Sequence, residues 1–582
     1  DGLCIKDATT IDPACGSGNF LTETYIQLRT LENRVLESLT YSITGTYNPT
    51  LNIETGNRDA DLGIKVSINQ FYGIEINDYA CEVAKTAMWI AEQQMMDKTQ
   101  EILAHHTLEF LPLTSNTHIH HANALRIDWN DVLPAERCKF IIGNPPFIGY
   151  SKLDDNQKED RATIFGKVKT VDYVACWYWK AAAYMTDCPI RTAFVSTNSI
   201  CQGQQVEPIW KPLFEQGFHI DFAHQTFKWI SKALDSAQVY VIIVGFSRTE
   251  CNNKTIFFNH SSKVVNYING YLMDIQDIWI SNRRNPLSQE KPAMVSGLKP
   301  ADHGWLLLRT KEKNELITAE PQSKKFIRDF IGSDELYKGK PRYCLWLLDY
   351  SLEELRTHHP LVWKRVEQCH QWRSEQQQTG DAYNLRESPH LLRGASTVPI
   401  TVKNIFAPQM HNEQRSYMPI EFIDNAIPSN SLYFISNANI YHFGVLTSQF
   451  YNAWIRAISG SLGPARRHNN TIVYNNFIWP NPTPEQKKHI EECAQAVLDA
   501  RENPPGRSLA QMYDGISPLP DNPSASDLKK YNQLEYADLK QAHLALDAAV
   551  EAAYGVDFNG DEEKIVAHLF TLYAEATKDE RK

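Results

Sequence analysis

Asn144, Pro145, Pro146 and Phe147 form the stretch of this sequence whose residue types are best suited to chemistry. They follow an apolar run at residues 139–142, which predicts a short buried strand. The two prolines fix successive φ angles at about −65°, so the stretch loses little entropy when it is held still. Backbone carbonyls and the Asn144 amide then offer acceptors beside an aromatic ring. This pattern favours a site for an aromatic amine, and the alternative is an ordinary proline-rich turn.

Two earlier stretches predict the elements that would place a ligand beside these four residues. Residues 10–20 read as a strand end, a loop of small residues and the start of a helix that continues to about residue 38. The loop lacks both the full dinucleotide glycine pattern and a P-loop lysine, so phosphate is a poor candidate ligand. Residues 70–77 predict a strand that ends at Glu75, where nucleotide-binding α/β folds hold a ribose diol.

The glycine loop, Glu75 and the Asn-Pro-Pro-Phe stretch together resemble the S-adenosylmethionine-dependent DNA methyltransferases that modify amino groups, specifically the N6-adenine kind. The similarity covers roughly the first 250 residues. It implies S-adenosylmethionine as cofactor and catalytic roles for Asn144, Pro145, Pro146 and Phe147. It also implies cofactor contacts from residues after three strands: Asp12, Ala14, Cys15, Gly16, Gly18, Asn19, Phe20, Glu75, Ile76, Asn123 and Ala124. Asn123 takes a place where the family more often has an acid.

The reaction that the resemblance implies requires positioning rather than a side-chain nucleophile. The lone pair of adenine N6 is delocalised into the ring, whereas the sulfonium methyl is already electrophilic. If Asn144 Oδ1 and the Pro145 carbonyl each accept one N6 hydrogen, the lone pair is directed at the methyl group. A base in a duplex must be flipped out to reach this site, and stacking on Phe147 offsets part of that cost.

Length and composition favour several domains. The chain has 582 residues, of which 42% are hydrophobic and 22% charged. The resemblance implies an α/β fold: a Rossmann-like class I methyltransferase domain with a mixed seven-stranded sheet over residues 1–250, truncated at its N-terminus. An α+β target-recognition domain over residues 251–480 and a helical C-terminal region over residues 481–582 would follow. Helices are expected at residues 172–185, 350–378 and 440–459, and packing is the favoured role of the aromatic residues in the first of these. Strands are expected at 191–197, 219–227, 238–246, 397–407 and 431–436, of which 219–227 and 238–246 resemble the closing antiparallel pair of the methyltransferase sheet.

Other features exclude some classes of function. The apolar runs are too short to cross a membrane, no secretion signal is present, and we expect a cytoplasmic, prokaryotic protein with no membrane partner. The eleven cysteines contain no C-x-x-C pair, and the histidines at residues 105–121 read as a polar loop, so no metal is expected. The formal charge of −11 argues against unspecific coating of nucleic acid but does not exclude a local basic face.

A candidate DNA-contacting segment lies near the end of the recognition region. Residues 460–470 read as a flexible basic loop. Arg456, Arg466, Arg467 and Asn469 are residue types that bind phosphates or read base edges, and the alternative is a solvent-exposed basic turn.

Residues 41–66 are predicted to form an irregular segment between the first helix and the strand that ends at Glu75.

The later half of the chain, including residues 471–480, resembles the target-recognition part of single-chain type II restriction-modification enzymes of the type IIL kind. This implies double-stranded DNA as partner, with a nuclease either in a missing N-terminal part or in a separate protein. Since only eleven residues precede Asp12, we expect such a fragment to bind the cofactor weakly. The alternatives are an N4-cytosine DNA methyltransferase, a protein-glutamine methyltransferase and a non-catalytic DNA-recognition subunit.

Overall fold

The chain divides into two compact units, Asp1–Trp279 and Ile280–Lys582, in a computed structural model. The structure describes residues 7–40, 64–103, 118–229, 239–249, 251–258, 261–288, 291–397, 404–463, 465–503, 505–519, 523, 525–531 and 534–581. The predicted irregular segment at residues 41–66 and the histidines at 105 and 106 therefore lie largely outside the described residues.

The described residues of the first unit contain one large mixed sheet. Its strands are β1 (Thr10–Asp12), β2 (Phe71–Glu75), β3 (His118–His121), β4 (Phe140–Gly143), β5 (Arg191–Thr197), β6 (His219–Trp229), β7 (Val239–Ser247), β8 (Lys254–Phe258) and β9 (Ser261–Val265). Its helices are α1 (Asn19–Thr40), α2 (Asp78–Leu103), α3 (Asp155–Phe165), α4 (Ala175–Tyr184) and α5 (Val206–Glu215).

The strand order is β3-β2-β1-β4-β5-β7-β6-β8-β9. Strands β1 to β5 run parallel, and β7 is antiparallel to both β5 and β6. The predicted fold class and the closing antiparallel pair are confirmed. The sheet has nine strands rather than the predicted seven, because β8 pairs with β6 and β9 pairs with β8. The segment that was predicted to leave the first domain near residue 250 thus continues its sheet.

The order places the chemistry at one edge of the sheet. Strand β1 lies between β2 on one side and β4 on the other, so the strand order reverses between β1 and β4. In open α/β sheets, ligands bind at the carboxyl ends of the strands beside such a reversal. The glycine loop follows β1 and the Asn-Pro-Pro-Phe stretch follows β4, so both leave the sheet at that point.

Two apolar clusters hold this sheet to its helices. Helices α1 and α2 contribute Leu21, Tyr25, Ala84 and Met88 to a buried cluster that also includes Phe71 of β2. The second cluster is aromatic, and its rings come from α4, α5, β5 and β7: Tyr178, Trp210, Phe194 and Phe246. Burying rings of this size is the main source of stability for such a layer.

The described residues of the second unit contain three small sheets. Their strands are β10 (Met294–Ser296), β11 (Leu307–Leu308), β12 (Ile327–Ile331), β13 (Tyr343–Leu345), β14 (Asn404–Pro408), β15 (Met410–Asn412), β16 (Glu421–Ile423), β17 (Ile427–Pro428), β18 (Leu432–Ser436), β19 (Gly460–Leu462) and β20 (Ala465–Arg467). The sheet orders are β10-β18-β14-β16, β11-β13-β12-β17 and β15-β20-β19.

Helices complete the second unit: α6 (Thr310–Ala319), α7 (Ser333–Lys338), α8 (Leu352–His358), α9 (Pro360–Ser374), α10 (Asp381–Asn384), α11 (Ile440–Thr447), α12 (Gln449–Ile458), α13 (Pro484–Arg501), α14 (Leu509–Ile516), α15 (Ala525–Lys530), α16 (Ala537–Ala553) and α17 (Glu562–Ala576). Helix α11 packs closely on α13, since a Cβ added at Gly444 would lie 3.0 Å from Ile490 Cγ2. The C-terminal helices therefore share a unit with the region before residue 480, and the division of the chain into three domains stays a prediction.

Several predicted elements differ from the structure. The helix expected at residues 350–378 is divided into α8 and α9 because Pro360 begins a new helix. The helix expected at residues 440–459 is divided at Ser448, whose backbone is extended. The predicted polar loop of histidines includes strand β3, and the predicted basic loop includes β19 and β20, because both segments pair with neighbouring strands.

No helix among the described residues is long and apolar enough to cross a lipid bilayer.

Candidate active site

The glycine loop after β1 is fastened to the end of β2. The Gly16 amide donates a 2.9 Å hydrogen bond to Glu75 Oε2, and the Cys15 amide donates one of 3.2 Å to Ile74 O. Gly16 and Gly18 have φ angles of +54° and +82°, in the left-handed region that favours glycine. The predicted pair of loop and acid is thus one connected structure.

Asp12, the last residue of β1, is buried. Its Oδ1 accepts a 3.0 Å hydrogen bond from the Ala14 amide. Burial raises the pKa of Asp12 to about 7, the Ala14 hydrogen bond opposes that rise, and the nearby Glu75 charge adds to it. A Cβ on Gly143 would lie 2.6 Å from Asp12 Oδ1, so the ends of β1 and β4 approach closely only because residue 143 is a glycine.

The Asn-Pro-Pro-Phe stretch directly follows β4, whose last residue, Gly143, lies beside Asp12. Pro145 is buried, Pro146 is exposed, and Phe147 is half-buried. The Asn144 Oδ1 atom is buried and accepts no hydrogen bond from any described residue. An unsatisfied buried acceptor costs free energy, and a ligand that donates a hydrogen bond to it would recover that cost. The Asn144 Oδ1 atom is therefore available to accept a hydrogen bond from a ligand.

Asp172, which the sequence did not single out, supports the segment that follows. Its Oδ1 accepts a hydrogen bond from the Tyr150 amide at 2.8 Å, and its Oδ2 accepts one from Ser199 Oγ at 2.5 Å. The Tyr173 amide donates to Ile148 O at 3.0 Å. These contacts fix the exit of the Asn-Pro-Pro-Phe stretch against the end of β5.

Trp177 joins α4 to the glycine loop. Packing was the favoured prediction for the aromatic residues of this helix, and Trp177 is buried. Its Nε1 also donates a 3.0 Å hydrogen bond to Pro13 O. The residue therefore both packs and holds the loop in place.

The remaining predicted cofactor residues lie along the same edge or at the start of α1. Ile76 follows Glu75 and is 66% exposed, an unusual position for an isoleucine. Ala124 is buried, and its carbonyl accepts from Trp129 Nε1 at 2.9 Å. Ala14 and Phe20 are half-buried, and Asn19 is exposed.

The side-chain amide of Asn123 forms two hydrogen bonds. Its Oδ1 accepts from the Leu125 amide at 2.9 Å, and its Nδ2 donates to Asp160 Oδ2 at 3.2 Å. Asp160 on α3 also accepts from Arg126 Nε at 2.6 Å and from the Tyr173 hydroxyl at 2.7 Å. Burial alone would raise the pKa of Asp160, but these hydrogen bonds outweigh it and lower that pKa. No sequence signal pointed to Asp160, which is 37 positions from Asn123.

The predicted DNA-contacting residues lie in the second unit and differ in how they are used. Arg456 forms two hydrogen bonds with the Glu562 carboxylate, at 2.7 and 2.8 Å, and one with Ser416 O. Arg466 lies 3.3 Å from Glu413, whereas Arg467 is exposed on β20. The Asn469 Oδ1 atom accepts from Thr471, within its own turn. Arg467 therefore fits the predicted role best.

The segment at residues 471–480 fastens an earlier part of the second unit. Asn476 Nδ2 donates to Ser281 O and to Ile472 O, each at 2.9 Å. Asn475 Nδ2 donates to Arg283 O at 2.8 Å. These asparagines are thus structural.

Within the part of the chain that the structure describes, no three histidine, cysteine, aspartate or glutamate side chains are grouped so that they could hold a metal ion.

Three family models match consecutive parts of the chain. Residues 4–258 match the model described as MmeI, DNA-methyltransferase domain; residues 274–481 match MmeI, target recognition domain; and residues 482–525 match MmeI, C-terminal domain.

Two individual proteins are similar over nearly the full chain. DNA methyltransferase A of Bacillus subtilis (strain 168) is 36% identical over 575 residues, which are 97% of this chain and 61% of that protein. The structure of the type IIL restriction-modification enzyme MmeI in complex with DNA is 37% identical, with a TM-score of 0.85, over 99% of this chain and 74% of that one. The chain thus spans about three fifths of the curated relative that it matches.

Proposed function

The chain belongs to the MmeI family of DNA methyltransferases, and from that premise we propose that it transfers a methyl group from S-adenosylmethionine to N6 of adenine in a specific double-stranded DNA sequence. The proposal includes a place in a restriction-modification or phage-defence system. A nuclease, joined to the chain or separate, stays a prediction.

The observation that carries this proposal is the buried, unpartnered Oδ1 of Asn144. It follows β4, beside the loop that follows β1, and Pro145 supplies a backbone carbonyl directly after it. Two acceptors match the two hydrogens of an exocyclic amine. Accepting both hydrogens draws the nitrogen away from planarity and directs its lone pair, so no general base is needed before attack. The nitrogen bonds to the methyl carbon as the methyl–sulfur bond breaks, and it then loses one of its hydrogens as a proton to solvent.

The residues at the other strand ends fit the proposed cofactor. At Gly16 and Gly18 no side chain separates a ligand from the backbone of the loop. Gly143 leaves the space beside β4 that the Asp12 carboxyl group occupies. Glu75 would hold the ribose hydroxyls, Ile76 would cover one face of the adenine, and Asn123 would meet its edge. Asp12 would face the charged amino-acid end. When bound, the cofactor supplies an electrophilic methyl group.

Phe147 would receive the base that leaves the duplex. Its side chain is half-buried, and the two prolines before it restrict the backbone that leads to it. Stacking on an aromatic side chain contributes about 1–3 kcal/mol per base, which is comparable to the cost of unstacking. For the second unit, the family model for target recognition and the exposed Arg467 support contact with DNA.

The test is the chemical identity of the product. The purified chain is incubated with unmethylated genomic DNA and S-adenosylmethionine carrying a labelled methyl group, and the digested nucleosides are separated by mass. We expect label in N6-methyladenine. An Asn69→Ala variant, which changes an exposed asparagine of the same unit, controls for handling and should give the same product.

Other products would contradict the proposal in distinct ways. Label in N4-methylcytosine would overturn the adenine assignment and keep the amine mechanism, since cytosine presents the same exocyclic NH₂. Label in protein alone would favour a glutamine methyltransferase. No label in any product, with cofactor binding shown separately, would favour a non-catalytic recognition subunit.

A further inference from the structure

The hydrogen bond between Asn123 and Asp160 joins two parts of the first unit that the sequence keeps apart. Asn123 follows β3 at the edge that carries Glu75, and Asp160 lies in the middle of α3. The Asp160 side chain is almost fully buried, and each of its oxygens accepts at least one hydrogen bond. A buried carboxylate held in this way has one orientation.

The position of Asn123 beside the proposed adenosine site follows from strand register. Glu75 pairs with His121, and the Ala122 amide donates a 2.8 Å hydrogen bond to Glu75 O. The exposed Ile76 is the first residue after β2, and His121 Nε2 lies 3.0 Å from Ile76 O. Asn123 therefore leaves the sheet next to both proposed adenosine contacts.

Among the described residues, each polar atom of the Asn123 amide has one partner and keeps one further hydrogen-bonding position. Its Oδ1 has two lone pairs, one of which accepts from the Leu125 amide. Its Nδ2 has two hydrogens, one of which goes to Asp160. An adenine edge presents an amine hydrogen beside a ring nitrogen acceptor, which matches one free lone pair beside one free N–H.

We infer that Asp160 is a positioning residue for the cofactor: it fixes the direction of the Asn123 amide, so that Asn123 recognises the adenine base through both an acceptor and a donor. This inference rests on the proposed function. If the amide rotated by 180°, its oxygen would face the Asp160 carboxylate and its nitrogen would face the Leu125 amide. Both of these contacts are repulsive, so the amide keeps one direction.

The same contact explains why this chain has asparagine where the resembled family more often has an acid. An aspartate at residue 123 would place a second carboxylate about where Nδ2 now lies, 3.2 Å from Asp160 Oδ2. Two carboxylates at that separation repel each other strongly. The pair of Asn123 and Asp160 avoids this repulsion and adds a donor that a lone acid lacks.

The inference predicts discrimination between two bases. Hypoxanthine presents an acceptor oxygen and a ring N–H where adenine presents an amine and a bare ring nitrogen, so its pattern is reversed. A fixed Asn123 amide matches adenine alone. We expect the wild-type chain to bind S-adenosyl-L-homocysteine at least about tenfold more tightly than S-inosyl-L-homocysteine, because a reversed pattern leaves buried polar groups unpaired.

The experiment measures both dissociation constants by calorimetry for three variants. In Asp160→Asn, the residue at 160 can face either end of the Asn123 amide, so the ratio of the two constants should fall severalfold. In the exchanged double variant Asn123→Asp with Asp160→Asn, net charge and the contact between the two positions are retained. A carboxylate at 123 accepts from either base, so this ratio should approach one.

Arg126→Gln is the matched control. It removes the ion pair with Asp160 but leaves the carboxylate and Asn123 in place, so it should keep the wild-type ratio. A general disturbance of α3 would weaken binding of both ligands and leave the ratio unchanged. The ratio therefore reports recognition rather than stability.

The outcomes separate this inference from the proposed function. A wild-type ratio near one, or an unchanged ratio in both folded Asp160 variants, would overturn the role of Asp160. Methyl transfer to DNA is assayed on the same preparations. Its absence in a wild-type chain that still discriminates the two ligands would overturn the proposed activity and leave the positioning role in place. A wild-type chain that binds neither ligand would overturn both.

Discussion

The carboxyl ends of β1, β2 and β4 in the first unit, here called the strand edge, and the β19–β20 hairpin in the second unit differ in whether nearby polar side chains have hydrogen-bond partners. At the strand edge, Asn144 Oδ1 is buried and accepts no hydrogen bond from a described residue. Near the hairpin, Arg456 makes two hydrogen bonds with Glu562 and a third with Ser416 O, although its residue type suggests DNA contact. One region keeps a polar group available, whereas the other uses a polar group to hold itself together.

This difference separates polar groups that are available to a ligand from polar groups that stabilise the fold. A buried acceptor without a partner destabilises the chain, and a ligand that donates a hydrogen bond to it removes that cost. An arginine that already forms a two-point contact with a carboxylate has little left to offer a phosphate. Among the predicted DNA contacts, Arg467 is exposed, whereas the Nε atom of Arg466 is buried 3.3 Å from Glu413 Oε2, so Arg467 is the more accessible of the two.

The largest expected effect belongs to Asn144→Ala. Removing the acceptor should lower the rate of methyl transfer at saturating cofactor and DNA by about a hundredfold or more, as found when one preorganised hydrogen-bonding group is removed from an active site. The rate is measured by label incorporation into duplex DNA. The thermal stability of the variant should be equal to or above that of the wild type, since a buried unsatisfied atom is removed.

A variant that transfers methyl groups within a few-fold of the wild-type rate would break the comparison, because the unpartnered oxygen would then have no catalytic use. Measured cofactor affinity serves as the control, since Asn144 lies beyond the proposed adenosine contacts.

The next effect concerns Asp12, whose pKa burial raises to about 7. Above that pH the carboxylate is ionised and attracts the cationic groups of the cofactor. We expect S-adenosylmethionine affinity to rise as the pH increases through 7, by about tenfold for each unit by which the bound cofactor lowers that pKa. Calorimetry between pH 6 and about pH 8 tests this, and Asp12→Asn reports the titration of the ligand itself.

Without cofactor, Asp12 should make stability depend on pH with the opposite sign. Its folded pKa of about 7 exceeds the ordinary value of 3.8. The stability that the neutral carboxyl allows is therefore complete below about pH 4 and is lost as the pH rises through 7. Asp12→Asn should remove this part of the pH dependence. A wild-type chain and a variant with parallel stability profiles would show that Asp12 ionises normally.

The smallest effect separates the two arginines. Arg467→Ala should weaken DNA binding a few-fold and reduce the slope of log affinity against log salt by about 0.9, because one fewer counterion is released. Arg456→Ala should leave that slope unchanged and lower the free energy of unfolding by about 1 kcal/mol. Both are measured by fluorescence anisotropy across a potassium chloride titration and by chemical denaturation. Equal slopes in the two variants would remove the distinction.

The sequence by itself determined the features that depend on neighbouring residues. A strand, a glycine loop and a helix follow one another within residues 10–40, and the proline pair sets its own backbone. Local sterics and hydrophobic periodicity decide such units. The place of the glycine loop could therefore be predicted from local patterns, whereas the fold class and the closing antiparallel pair were implied by the resemblance of the motifs to a known family.

The tertiary structure alone decided which polar groups are free. Arg456 meets Glu562 across 106 positions, and Asn123 meets Asp160 across 37. The basic segment at residues 460–467 became a hairpin because β20 also pairs with β15, about fifty positions earlier. Such contacts depend on how distant elements pack, and hydrogen-bonding capacity is shared among whichever groups packing brings together. Residue type predicts what a side chain can bind, and the fold decides what is left for a ligand.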